Sequence, residues 1–268
     1  MTELAAAAFL GVVQGLTEFL PVSSSGHLII ASSLLGLEGD RIKTFEIAIQ
    51  LGSIFAVVLL YWQRFTDLLA ARPGKNLSGF RGVFLLFLTC LPACAIGLLL
   101  HGYIKAYLFN PISVACALAT GALFILFAEW TVSRRSVANA VTSVDALTPK
   151  VALGIGCFQC LSLWPGFSRS TSTIMGGLLL GAGRAVAAEY SFLAAVPIMI
   201  AATGFSLISA ADVLTTADIP FFAVGTLTAF LSALLAIKVF LRYIGMFSFK
   251  PFAWYRLFIA PLVLWFWL

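Results

Sequence analysis

Gln14-Gly-Leu-Thr-Glu18-Phe-Leu-Pro21-Val-Ser23-Ser24-Ser25-Gly26-His27 is the stretch whose reading decides this chain, and Pro165-Gly166-Phe-Ser168-Arg169-Ser170-Thr171-Ser172-Thr173 is its companion. Each run starts in apolar sequence, breaks at a proline, and resumes with hydroxyl residues able to open a new helix. Ionisable groups are costly inside an apolar chain, so residues of this kind mark a functional site by default. A half-helix opening near Ser23 offers unpaired backbone N–H groups and a dipole that favours an anion. Ser23, Ser24 and Ser25 add hydroxyl donors, and Gly26 admits a ligand close to the backbone. His27 follows Ser24 by three residues and Glu18 follows Gln14 by four, each pair on one helical face. The second run adds Arg169, a planar fork for two phosphate oxygens, with Ser168, Ser170 and Thr173 as further hydrogen-bonding groups. Capping alone explains a single serine run, and a snorkelling Arg169 or a structurally satisfied Glu18 or His27 is each an ordinary outcome. Their conjunction points to two halves of one phosphate-binding centre.

The surroundings are those of a membrane protein. The 268 residues are 61% hydrophobic and 10% charged, with mean hydropathy +1.05, too little charge to cover a water-soluble surface. Six segments meet the spanning requirement of about 20 apolar residues, roughly 45–62, 83–100, 112–129, 188–209, 219–241 and 252–268. The polar runs lie in two more apolar stretches, roughly 4–35 and 151–182, each split near its middle. The opening Met-Thr-Glu-Leu-Ala lacks the basic region of a secretory signal, so uncleaved insertion is expected.

Charge sets the expected orientation. With alternating spans, Arg64, Arg72, Lys75, Arg81, Arg134, Arg135, Lys150, Arg184, Arg242 and Lys250 share one side, which the positive-inside rule makes cytoplasmic. Arg41, Lys43 and Lys105 share the other with Glu38, Asp40, Asp212 and Asp218. This sorting requires both split stretches to enter and leave by one face, as re-entrant hairpins. The +5 net charge comes without a basic face or aromatic interleaving, so no nucleic-acid partner is expected. Cys90, Cys94, Cys116, Cys157 and Cys160 all fall in apolar segments and read as packing residues, Cys157-Phe-Gln-Cys160 included.

The chain also resembles itself. Gln14-Gly-Leu-Thr17 aligns with Gln159-Cys-Leu-Ser162, Phe19 with Trp164, and, after a one-residue gap, Pro21 with Pro165 and Ser24 with Ser168. Glu46 and Gly52 align with Glu189 and Ala195. One membrane domain over 1–268 is therefore expected, with repeat one about 1–145 and repeat two about 146–268. Each repeat holds a hairpin and three crossings. Three is odd, so the second repeat runs inverted, and the broken helices meet near the midplane. The expected fold is an all-α polytopic membrane protein with an inverted-topology repeat, six transmembrane helices and two re-entrant helical hairpins.

These motifs resemble those of the undecaprenyl-diphosphate phosphatases, the bacitracin-resistance family. Gln14 to Glu18 is similar to its acidic-or-Gln, three residues, Glu motif, with Gln14 where relatives often carry Glu. Pro21 to His27 matches its Pro-Val-Ser-Ser-(Ser/Thr)-Gly-His run, and Pro165 to Thr173 matches Pro-Gly-x-Ser-Arg-Ser-x-x-Thr throughout. Lys43-Thr-Phe-Glu46, Gln50-Leu-Gly-Ser53, Asn110-Pro111 and Asp218-Ile-Pro220 extend the likeness along the chain. The resemblance implies a hydrolase of the bacterial inner membrane that removes the terminal phosphate from a C55 polyprenyl diphosphate, recycling the lipid carrier of the cell wall. On that reading Arg169 clamps phosphate and Ser24, or a water it orients, attacks phosphorus. Glu18 serves as base or metal ligand, His27 moves a proton, and Gln14 supports. Ser23, Ser25, Gly26, Ser168, Ser170 and Thr173 bind phosphate.

The resemblance also implies stimulation by a divalent cation, Mg²⁺ or Ca²⁺, with Glu18 the main carboxylate at hand and no organic cofactor. The implied partners are the polyprenyl diphosphate lipid and the bilayer. A homodimer is one option for the oligomeric state, since Gly176-Gly177 and Gly181 suit close helix contact within or between subunits. The first hairpin enters opposite the basic loops, so the active site is expected to open to the periplasmic or outer face. Inverted repeats are also transporter architecture, and a polyprenyl-phosphate flippase, alone or combined with hydrolysis, is the alternative.

Overall fold

The computed structural model describes residues 2–108, 110–135, 140–209, 215–244 and 246–267, with backbone alone at 101, 105, 209, 266 and 267. Of the expected features, Asp212, the Lys105 side chain, part of the loop joining the repeats and the chain's last residue lie outside the described residues. The described chain is all-helical with no strand. Among the described residues five helical stretches are long and apolar enough to cross a membrane: Asp40–Leu60, which is two consecutive helices, Gly79–Leu99, Pro111–Ser133, Arg184–Ile208 and Thr216–Ile244. The chain is thus a multi-pass membrane protein. The sixth expected span forms a helix, Lys250–Trp267, which carries Lys250 and Arg256 and is not among those five.

In chain order the helices are α1 (Glu3–Thr17), α2 (Ser24–Leu34), α3 (Asp40–Ala48), α4 (Gln50–Leu60) and α5 (Trp62–Asp67). There follow α6 (Gly79–Leu99), a single turn α7 (His101–Tyr103) and α8 (Pro111–Ser133). Then come α9 (Pro149–Gln159), α10 (Arg169–Leu179), α11 (Arg184–Ser209), α12 (Ile219–Ile244) and α13 (Lys250–Trp267). Local chemistry sets the starts. Thr2, Asn110 and Thr148 each accept a first-turn N–H, from Ala5, Ser113 and Val151 respectively. Pro111 and Pro149 sit at the first helical position, where the missing N–H costs nothing.

The split stretches become helix–break–helix units, α1–α2 and α9–α10. In both, the residue before the second helix is a serine with positive φ, Ser23 at 72° and Ser168 at 77°. Non-glycine residues seldom adopt such angles, so both breaks hold local strain. The separation from Ser23 to Ser168 is 145 residues, the same as from Gln14 to Gln159. The positive-φ serines thus keep the register of Gln14 with Gln159, one residue away from the expected pairing of Ser24 with Ser168.

Packing brings the two breaks together. α1 lies along α12, with Gly11 and Gly15 pressed on the Gly225 and Ala229 carbonyls, too close for any Cβ. α9 lies along α6 in the same manner, Gly156 facing the Leu88 and Thr89 carbonyls. α2 packs on α13 and α10 on α8, while α8 and α13 pack on each other; α4 meets both α11 and α12, and α11 meets α6. Behind the breaks, Phe19, Met175, Tyr190 and Phe192 belong to one continuous apolar core.

Candidate active site

Glu18 stands just past the end of α1, its N–H donating to the Gln14 carbonyl at 3.0 Å. Its side chain is only 8% exposed and works on both oxygens. Oε2 accepts from Ser24 Oγ at 2.8 Å and from Gln14 Nε2 at 2.9 Å. Oε1 accepts from Arg169 Nη2 at 3.2 Å. One carboxylate therefore joins the end of α1, the start of α2 and the start of α10. Residues 6 and 151 positions apart meet there because the α1–α2 and α9–α10 breaks lie against each other.

Arg169 is held from several sides. Nη1 donates to the Ser191 carbonyl at 3.2 Å and to its hydroxyl at 3.3 Å, Nη2 also approaches Met199 Sδ, and the guanidinium lies 5.4 Å over the Phe19 ring. Its Nε is buried without an acceptor, and so is Gln14 Oε1 without a donor. Buried polar atoms without a partner are uncommon in a folded interior; two of the five among the described residues belong to this centre, and the others are on Ser53, Gln159 and Thr203.

The other expected residues divide into groups. Ser168 caps α10 by accepting from Thr171 N at 3.3 Å, and its hydroxyl lies 3.0 Å from that of Ser170. Ser170 is buried and donates to the Leu20 carbonyl at 2.9 Å, tying the second run to the first break. Thr173 is buried too, between the Arg169 carbonyl and the Ser191 hydroxyl. Gly26 is buried beneath Leu118, and Ser25 is exposed. His27 belongs to a separate branch: Nδ1 lies 2.8 Å from the Ser23 carbonyl and Nε2 lies 2.6 Å from the Tyr255 hydroxyl. A carbonyl can only accept, so Nδ1 carries a proton, and in the neutral ring Nε2 accepts from Tyr255.

Sequence reasoning missed Tyr255, Ser191 and above all Arg256. Arg256 is fully buried and donates to six acceptors. The signal was present in the sequence: an arginine inside an apolar span is the same kind of anomaly as Arg169. A cavity of about 590 Å³ lies elsewhere, between α4 and α12, lined mostly by apolar residues such as Phe55, Phe222, Leu227 and Phe230, together with Thr215 and Asp218. It contains no residue of the two polar runs 14–27 and 165–173. Its mostly apolar walls do not compete with the polar centre as a place for chemistry.

The comparison with known proteins agrees with the motif residues. Residues 7–262 match the family described as bacitracin resistance protein BacA. The chain belongs to that family. The undecaprenyl-diphosphatase of Maridesulfovibrio salexigens is 58% identical over 267 residues, covering 100% of both chains. Those of Nitratidesulfovibrio vulgaris strain DP4 and Desulfovibrio desulfuricans are 58% and 57% identical over 266 residues, with 99% of each chain covered.

Proposed function

We propose that this protein is a membrane phosphatase that hydrolyses undecaprenyl diphosphate to the monophosphate and inorganic phosphate. Membership of the family and full-length relatives named undecaprenyl-diphosphatase support the activity. One observation carries the assignment of the site: Ser24 and Arg169, one from each broken helix, share the Glu18 carboxylate. The lipid tail stays in hydrocarbon while the diphosphate reaches the breaks from the side.

In the mechanism, Ser24 Oγ attacks the terminal phosphorus and passes its proton to Glu18, which already accepts from it at 2.8 Å. The bridging P–O bond breaks and the monophosphate departs. Water then cleaves the phosphoserine and releases inorganic phosphate. A competing version has water attack directly, with Ser24 orienting the phosphate. Arg169 transfers its fork from Glu18 to the phosphate as charge develops, and phosphoryl transfer needs little more than such positioning and charge stabilisation. His27, with Nδ1–H held on the Ser23 carbonyl, moves a proton at Nε2. Ser23, Ser25, Gly26 and Ser168 line the phosphate's approach.

A divalent cation fits in part. Among the described residues no cluster of three or more His, Cys, Asp or Glu could hold one. Glu18 and the unpartnered Gln14 Oε1 are two oxygen ligands suited to a hard ion, which would neutralise diphosphate charge with lipid oxygens completing its shell.

The architecture proposed is an inverted repeat, about 1–145 and 146–268, with six crossings and two re-entrant hairpins in the bacterial inner membrane, open to the outer face. The equal serine geometry supports it, as do contacts that recur in exchanged pairs, α1 on α12 beside α9 on α6 and α2 on α13 beside α10 on α8. At 15 and 11 residues, α1 and α9 are too short to cross alone. The same pairing favours movement of the carrier as a second activity, read by a flux assay in vesicles.

The deciding experiment is phosphate release from C55 diphosphate by purified protein. Arg169→Ala should abolish turnover and Arg169→Lys should recover little of it, because lysine lacks the fork. Wild-type turnover in Ser24→Ala would remove the phosphoserine route; absence of phosphate release by the wild type would remove the function.

A further inference from the structure

Arg256 sits on α13, outside both motifs, with 0% of its surface exposed. Nε donates to the Leu118 carbonyl at 3.1 Å and Nη2 to those of Ala117 and Gly166 at 3.3 and 3.0 Å. Nη1 donates to the Pro21 carbonyl at 3.4 Å, the Phe167 carbonyl at 3.0 Å and Thr171 Oγ1 at 2.8 Å. Three of these carbonyls, Pro21, Gly166 and Phe167, belong to the residues just before the strained serines Ser23 and Ser168. The guanidinium thus holds both breaks and α8 at once. α8 makes room for it at Gly121, where any Cβ would overlap Nη2.

None of the six acceptors is a carboxylate. Arg169 is neutralised by Glu18, whereas the charge on Arg256 is met only by carbonyl and hydroxyl dipoles. A buried charge of this kind is costly unless something uses it.

We propose that Arg256 is a positioning residue for the phosphatase reaction, locking the two breaks in register and leaving the centre with net positive charge before the lipid diphosphate arrives. This rests on the proposed function. Pulling the pre-serine carbonyls onto one side fixes where the free N–H groups of α2 and α10 begin, and misplacement of about 1 Å at such a centre costs about a hundredfold in rate. The uncompensated charge then attracts the anion without touching it.

Two substitutions separate these contributions. Arg256→Lys keeps the charge but cannot reach both breaks. It should lower kcat about a hundredfold while leaving KM and inhibition by inorganic phosphate nearly unchanged. Arg256→Met loses the charge as well, and should also weaken inorganic phosphate about tenfold, one charge acting through a low dielectric. Wild-type kcat in Arg256→Lys overturns the positioning role; wild-type phosphate affinity in Arg256→Met overturns the charge role. Should neither variant fold, Thr171→Val removes a single acceptor: a severalfold lower kcat at constant KM supports the proposal, and an unchanged kcat overturns it. Phosphate affinity is also read from the shift of the thermal midpoint, which needs no turnover. That arm stays informative even if the lipid proves to be the wrong substrate.

Discussion

Ser23 and Ser168 occupy equivalent places with nearly equal φ, yet their side chains do different work. Ser168 caps its helix, whereas the Ser23 side chain makes no cap bond. Positive φ in a residue bearing a Cβ costs about 1–3 kcal/mol. Ser23→Gly should therefore raise the thermal midpoint by the equivalent of about 1 kcal/mol. Ser168→Gly should gain little, since it also gives up a cap worth about 1 kcal/mol. Parallel melts of the two variants check this, and an equal gain in both would show that the cap contributes nothing. Residues of this centre were legible in the sequence wherever a polar group stood out against apolar neighbours, as Gln14, Glu18, Ser24 and Arg169 do. The exact pairing of the runs was not legible. Aligning prolines placed Ser24 opposite Ser168, but the backbone aligns the positive-φ residues, and no composition signal marks those.

At the scale of elements, close approach decides where the breaks lie. A methyl at Gly15 would overlap the Ala229 carbonyl and the Ser232 hydroxyl, and the carbonyl cannot retreat. Gly15→Ala should lose about 1–3 kcal/mol of stability by overpacking. It should also lower turnover, since Gln14 and Glu18 ride on the same end of α1. Gly204, inside α11, has nothing within 4 Å of an added Cβ. There alanine should stabilise by up to about 1 kcal/mol through helix propensity alone. Thermal midpoints of the pair, with phosphate release for Gly15→Ala, provide the measurement. Opposite signs are expected; a shared sign would mean that helix contact is not what limits substitution. Helices were read well from the sequence because long apolar segments leave few other options. The exception is α13, treated as a plain span, whose Arg256 serves the interior rather than the lipid.

For the whole molecule the matter is which way the centre faces. Basic residues Arg72, Lys75 and Arg81 flank the exposed Asn76, while Ser25 is exposed near the first break. With the five native cysteines replaced by alanine, Ser25→Cys should react with an impermeant thiol reagent on intact cells. Asn76→Cys should react only after permeabilisation. The reverse pattern would place the centre on the cytoplasmic side. The expected sidedness rests on charge summed over many loops, whereas the meeting of Glu18 with Arg169 depends on packing no single segment encodes. That meeting has a consequence for how the enzyme handles its own product. At rest the guanidinium is engaged by an internal acid, so free phosphate arriving from outside must first evict it, and rebinding is discouraged. Under the proposed mechanism this lowers inhibition by product, because a ligand anchored by a long tail brings affinity that free phosphate lacks. Glu18→Gln should reverse the bias: inorganic phosphate binds about tenfold more tightly, a difference of about 1.4 kcal/mol, in a protein that no longer turns over. Calorimetric titration showing equal or weaker phosphate binding would mean the acid is no rival to the anion.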